Sequence, residues 1–235
     1  MNSEKQTALK ETEIGLIPQK WNILDFKDVC TLQRGFDLPA NNRQPGAYPL
    51  VAANGISDYV SEYKVAGPGV TTGRSGTLGK CFYIRENFWP LNTSLWVKDF
   101  KGNDAYFIYL LISSLDFSNF NAGSGVPTLN RNHLDLIRIS LPPKTQQKKI
   151  AEIISSFDEK IELNRQINAN LEKLASALFK HWFVDFEFPD KNGKPYKSSG
   201  GKMVDSDLGQ IPEEWEKKPL DKVANFLREL YTKLP

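Results

Sequence analysis

The alternation of apolar and polar positions divides the chain into segments of three kinds. Between about Thr12 and Pro143, short β-type runs alternate with turn signals: residues 48–52, 69–72, 80–84, 94–98 and 136–141. The clusters Gly67-Pro-Gly and Gly73-Arg-Ser-Gly-Thr-Leu-Gly mark loops between them. One helix interrupts. Asn103 or Asp104 can cap residues 105–115, in which Phe107, Leu110 and Leu111 share a face. The fold class expected is α+β: a β-rich domain over residues 12–145 with one internal helix, followed by a long coiled-coil-type helix.

That helix is predicted over residues 146–183. Pro142-Pro143 closes the last strand, Thr145 is the candidate cap, and neither glycine nor proline follows until the pattern ends. Its apolar stripe runs through Ile150, Ile153, Ile154, Phe157, Ile161, Ile167, Leu171, Leu174, Leu178 and Trp182. With a at 150, 157, 164, 171 and 178, the stripe fills a, d and e, and Asn164 is a polar intruder that could set register in a helix pair. At 1.5 Å per residue such a helix reaches on the order of 55 Å, too long for a small domain to cover, so it calls for a second long helix.

Residues 185–235 are a polar linker beginning near Asp185 followed by the start of a truncated second repeat of the chain's opening. Gly15-Leu-Ile-Pro-Gln-Lys-Trp21 returns as Gly209-Gln-Ile-Pro-Glu-Glu-Trp215, an offset of 194 that also aligns Phe26 with Leu220, Val29 with Val223 and Arg34 with Arg228. The match then stops, at Gly35 against Glu229, and residues 230–235 resemble nothing in the first copy. A repeat of this length is a whole domain plus helix, not a solenoid unit. Trp21 and Trp215, each following Ile-Pro, suit packing of the leading segment better than stacking on a base.

At this point the chain resembles the specificity subunits of type I restriction–modification systems. The resemblance lies in Gln146-Gln-Lys-Lys-Ile-Ala-Glu-Ile-Ile running into Asp158-Glu-Lys-Ile-Glu-Leu-Asn, in Ala177-Leu-Phe-Lys-His-Trp-Phe-Val-Asp-Phe, and in the Gly-Leu-Ile-Pro-Gln-Lys-Trp opening with its echo at Gly209. It implies target-recognition domains separated by two long antiparallel helices, each domain reading half of a bipartite duplex-DNA site. Methylation and restriction belong to partner subunits. One full domain and one helix imply a half-length, truncated form, completed as a homodimer or by a separately encoded half.

Composition adds limits. The net charge is +2, so an argument for DNA rests on local clusters rather than on global charge. Cys30 and Cys81 are the only cysteines, each in an apolar run, and read as small buried hydrophobes. Residues 1–11 are polar, without the apolar stretch of a signal peptide, and no run is long enough to span a bilayer, so a cytoplasmic location is expected.

No catalytic residue, metal site or cofactor is expected. The chain lacks a phosphate-binding Gly-x-x-x-x-Gly-Lys-Ser/Thr loop, a glycine-rich cosubstrate turn and an Asn/Asp-Pro-Pro-aromatic tetrapeptide. Its two histidines, His133 in a loop and His181 on the helix, have no metal-ligand spacing, and Asp158-Glu159-Lys160 suits a solvated helix face.

Binding chemistry is better represented. Arg34, Arg43 and Arg74 lie in or beside turns, with Gln44, Asn54, Asn130, Arg131 and Asn132. Arginine matches the O6/N7 edge of guanine, and Asn or Gln the N6/N7 edge of adenine. Ser75, Thr77 and Lys80 suit phosphates, with glycines that let the backbone approach. Singly, each could be a turn former or a solvated cation. As groups, residues 73–80 and Thr128 to Asn132 are the favoured contact loops, because the resemblance puts variable DNA-reading loops in this domain. The competing classes are a carbohydrate- or protein-binding adaptor and an inert truncated subunit.

Overall fold

The computed structural model describes residues 8–117, 120 and 127–222, which fall into two compact units dividing between Glu159 and Lys160. The repeat positions Val223 and Arg228 lie outside the described residues.

In the first unit, β1 (Leu9–Thr12) and β2 (Gly15–Pro18) form a hairpin whose turn is closed by Thr12 Oγ1 donating to the Gly15 carbonyl at 2.6 Å. β3 (Asn22–Asp25) pairs antiparallel with β11 (Arg138–Leu141), which joins the two ends of the domain. Between them lie a helical turn α1 (Phe26–Val29) and β4 (Thr31–Arg34). The main sheet is antiparallel in the order β4-β10-β7-β8, with β7 at Gly69–Gly73, β8 at Cys81–Ile84 and β10 at Ser94–Asp99. A second sheet has the order β6-β5-β9, with β5 at Pro45–Ala52, β6 at Gly55–Val60 and β9 at Trp89–Pro90; β9 runs parallel to β5.

The five expected β-type runs all contain strands, and the internal helix α2 (Ala105–Ser114) has the expected cap, Asp104, whose carboxylate accepts from the Phe107 amide at 2.9 Å. Its buried residues are Tyr106, Phe107, Ile108 and Ile112, while Leu110 and Leu111 are only partly covered, because the helix is enclosed on more than one side. They join Phe26, Val29, Leu32, Val70, Leu95, Leu134 and Ile139 in the principal core. Cys30 belongs to that core and Cys81 packs against it; both thiols are free, and burial pushes each up to about 12, with Cys81 adding to the effect on Cys30.

The long helix α4 runs Lys144–Phe179 and continues as a π-helical turn, Lys180–Val184. Thr145 lies inside it and is not its cap. The Pro143 carbonyl accepts from the amides of Gln146 and Gln147 at 2.8 and 3.0 Å, so proline, with no amide to satisfy and a φ suited to a helix start, opens the helix two residues earlier. The first turns of α4 are part of the first unit. Ala151 is buried, Ile150 packs against the core, and Gln147 is 1% exposed.

Gln147 is the polar node of this junction. Its amide nitrogen donates to Asn103 Oδ1 at 2.9 Å and to the Pro142 carbonyl at 3.0 Å, and its oxygen accepts from the Asp104 amide at 3.1 Å. Asn103 in turn donates to the Val29 carbonyl at 2.8 Å. Gln147→Ala strands three partners at once and is expected to lower stability by about 3 kcal/mol, read as an earlier midpoint in chemical denaturation. A change below about 1 kcal/mol would show that water replaces the side chain.

Two further expectations change. His133 sits on a helical turn, α2's successor α3 (Arg131–Leu134), and not in a loop. Asp158 and Glu159 are exposed but engaged: Asp158 accepts from the Tyr106 hydroxyl, and Glu159 pairs with Arg85 at 3.0 Å. Tyr106 and Arg85 come from the domain, so this stretch of helix is tied to it rather than wholly solvated.

In the second unit, β12 (Met203–Ser206) and β13 (Gly209–Pro212) form a hairpin, and Trp215 lies among Phe183, Phe186 and Phe188. Among the described residues no helix is long and apolar enough to cross a membrane.

Candidate nucleic-acid interface

Four segments far apart in sequence meet at one cleft of about 750 Å³. Its walls are Gln33 to Asp37 at and just after the end of β4, Arg74 after β7, Leu95 of β10, and Thr128 to Arg131 leading into α3. The two favoured loops are therefore neighbours. Ser75 and Thr128 form an antiparallel bridge, the Leu129 amide donates to the Arg74 carbonyl at 2.8 Å, and the Gly76 amide donates to the Pro127 carbonyl at 3.0 Å. The amides of Arg74 and Ser75 both donate to the Thr93 carbonyl, at 2.9 and 3.1 Å, which ties the loop to the start of β10.

Gly73 makes this turn feasible. The chain curls back so closely that a Cβ on Gly73 would lie 1.8 Å from the Thr77 carbonyl oxygen and 2.8 Å from that of Ala53. Any side chain there would have to displace backbone on two sides.

The cleft holds three guanidinium groups and one lining carboxylate. Arg34 is mostly exposed and lies 3.6 Å from Asp37, a solvent-screened pair worth little. Arg74 Nη1 donates to the Asn92 carbonyl at 3.2 Å, and Arg131 Nη1 to the Leu32 carbonyl at 3.3 Å. Each of these two forks is oriented by one backbone acceptor, which leaves most of its five donors for a ligand. Asn92 also donates to Asp37, so the carboxylate is shared between the asparagine and Arg34.

The remaining expected residues are distributed around this centre. Asn130 lines the cleft, and its side-chain oxygen accepts from the Asn132 amide at 3.1 Å, capping α3. Ser75 and Thr77 are on the Arg74 loop, half-buried, and Asn132 is exposed on α3. Arg43 donates to the Leu38 carbonyl at 3.2 Å, and Gln44 is exposed with its carbonyl engaged by the Ser61 amide. Asn54 is exposed in the two-residue turn between β5 and β6. Lys80 lines a separate hollow of about 430 Å³ with Leu78, Gly79 and Leu115 to Phe117. Arg43, Gln44, Asn54 and Lys80 thus lie outside the cleft lining.

Gln33 and Asp37 line the cleft and were not among the residues expected from sequence. Gln33 is a strand residue with the same adenine-reading chemistry as the loop amides, and attention to turns alone passes over it.

The stripe on α4 is a second candidate surface. Beyond Ile150, which faces the core, Ile154, Phe157, Ile161, Ile167, Leu171, Leu174 and Leu178 are all exposed. Trp182, expected as the end of the stripe, is half-buried in the π-helical turn with its ring 6.4 Å from Phe183.

The family model for the type I restriction modification DNA specificity domain matches residues 18–173. The chain is 28% identical to the type I restriction enzyme MjaIX specificity subunit of Methanocaldococcus jannaschii, over 92% of this chain and 54% of that protein. It is 31% identical to a putative type I specificity subunit of Mycoplasma pneumoniae, over 82% of this chain and 55% of that protein. The chain spans about half the length of the curated relatives it matches. Among solved structures, the S subunit of a type I restriction-modification system from M. genitalium is similar in fold, with a TM-score of 0.54 and 20% identity, covering 69% of this chain and 48% of that one.

Proposed function

The chain belongs to the type I restriction–modification DNA specificity family, and on that premise we propose that its three-arginine cleft reads one half of a bipartite duplex-DNA site. The observation that supports this most is the convergence of Arg34, Arg74 and Arg131 from three separate segments on one cleft that Gln33 and Asn130 also line. Guanidinium forks suit the O6/N7 edge of guanine, and the two amides suit adenine. The chain does no covalent chemistry in this reading. It positions partner methyltransferase and restriction subunits, and two copies pair through the exposed stripe of α4.

Arg74→Ala tests the cleft. If Arg74 reads a guanine, binding to the specific site weakens by about 1–3 kcal/mol while nonspecific duplex is nearly unaffected. If it holds only a phosphate, both weaken alike and the salt slope falls by about one. Unchanged affinity and salt slope would remove this loop from the interface. A chain that binds glycans but no duplex DNA, with or without its partner subunits, would overturn the reading as a whole.

A further inference from the structure

The segment from Arg34 to Asp37, at the end of β4, is pinned to its neighbours by backbone and by an aromatic ring. The Gly35 amide donates to the Ser94 carbonyl at 3.1 Å and the Phe36 amide to the Pro90 carbonyl at 2.8 Å. Phe36 also forms a parallel bridge with Leu91. Its ring packs against Trp89, edge-on at 6.5 Å, and against Trp96 at 6.2 Å. Arg34 and Asp37, on either side of this anchor in sequence, keep their side chains more than half exposed. Two charged groups are thus presented from a rigid base, the arrangement that loses least entropy on binding.

Among the described residues Asp37 is the one carboxylate lining a cleft with three guanidinium groups. In a groove that only tracked phosphates it would oppose binding, because it repels the charge that the arginines attract. Its position is nevertheless reinforced. The Asn92 side-chain amide donates to Asp37 Oδ1, while the Asn92 carbonyl accepts from Arg74. Arg34 approaches the same Oδ1, at 3.6 Å. Both partners sit on one oxygen, so Oδ2 keeps its lone pairs for an incoming donor.

The major-groove edge decides which donor fits. A G·C pair presents acceptor, acceptor and donor in order: guanine N7 and O6, then the cytosine N4 amino group. An A·T pair presents acceptor, donor and acceptor, with its amino group flanked by adenine N7 and thymine O4, both of which repel a carboxylate. A guanidinium beside a carboxylate matches the first order and clashes with the second. We infer that Arg34 and Asp37 together read one G·C pair, Arg34 on the guanine O6/N7 edge and Asp37 Oδ2 on the cytosine amino group, with Asn92 positioning the carboxylate. The solvent-screened contact between Arg34 and Asp37 is weak enough to yield as the two groups engage the bases. The inference rests on the cleft being the DNA-reading face and adds the base pair that its carboxylate selects.

The test selects duplexes from a random library with the full chain assembled with its modification subunit, then repeats the selection with Arg34→Ala and with Asp37→Ala. The unaltered chain should fix a G·C pair at one position of the half-site. Both variants should relax that same position, with discrimination against A·T falling at least about tenfold. Asn92→Ala keeps the backbone carbonyl that holds Arg74 and should relax the position by a smaller factor; an unchanged preference would remove Asn92 from the reading. N4-methylcytosine at this position keeps the paired hydrogen and replaces the one exposed in the major groove. It should weaken binding by the unaltered chain about tenfold and leave binding by Asp37→Ala unchanged. Variants that lose affinity for all duplexes alike, or that relax two different positions, would overturn the joint reading and leave Asp37 a brace for Arg34. An unaltered chain that selects no duplex sequence at all would overturn the reading of the cleft itself.

Discussion

Replacing Leu171 and Leu174 together by aspartate is expected to turn a dimer into a monomer and to abolish site-specific methylation by the assembled complex. Both side chains are more than half exposed on α4, with Phe157, Ile161, Ile167 and Leu178 along the same stripe. A contiguous apolar surface of this length is unusual on a monomer. Two helices packed antiparallel about a twofold axis would cover it isologously, each large side chain contributing about 1.5–3 kcal/mol before association costs. Two aspartates per chain remove that gain and add carboxylates that cannot be buried unpaired. Together these amount to more than about 4 kcal/mol, or at least a thousandfold in dissociation constant. Sedimentation reads the loss directly. The melting of the first unit should not change, since positions 171 and 174 lie in the other. A wild-type monomer at micromolar concentration, or a methylated site with unrelated halves, would instead point to a distinct partner half.

Gly73→Ala is expected to have the largest effect on the cleft. The new methyl group meets two backbone carbonyls, and neither can move without unmaking the turn that carries Arg74. Overpacking of this kind costs about 3 kcal/mol, which corresponds to a fall of about 6–12 °C in the melting temperature of a unit this size. Displacing the loop also breaks the Leu129–Arg74 bond and the Arg74–Asn92 bond that set the guanidinium. DNA affinity should drop more than about a hundredfold if two base-reading arginines lose their place. Gly76→Ala is the comparison. Its φ of +84 makes alanine strained, but a methyl there meets nothing within 4 Å, so a cost of only about 1 kcal/mol is expected. Equal effects of the two substitutions would mean that backbone strain, rather than the close approach at Gly73, controls the loop.

Much of this architecture is local, and local order is legible in a sequence. The cap at Asp104 and the helix behind it, the strands of the main sheet from Gly69 to Asp99, and the uninterrupted run of α4 all follow from spacing and from where glycine and proline fall. The echo of Gly15–Trp21 at Gly209–Trp215 also marks two copies of one hairpin, though not the strands before each turn, which differ in sequence while matching in register. Strands such as β3 and β4 escape the pattern because four residues alternate too briefly to stand out, and their partners lie elsewhere in the chain.

The chain's own periodicity determined that α4 is long and apolar along one side, and its turn residues determined which loops could face a ligand. Only the tertiary structure decided which parts of each are used. Ile150 continues the stripe without a break, yet it turns to the core because Gln147 and Ala151 dock the first turns of α4 on the domain. Arg74 and Arg131 share a cleft because the Ser75–Thr128 bridge and the bond from the Leu129 amide to the Arg74 carbonyl join loops more than fifty residues apart. Periodicity reports the face of an element, but what covers that face depends on which distant backbone finds its hydrogen-bond partners there.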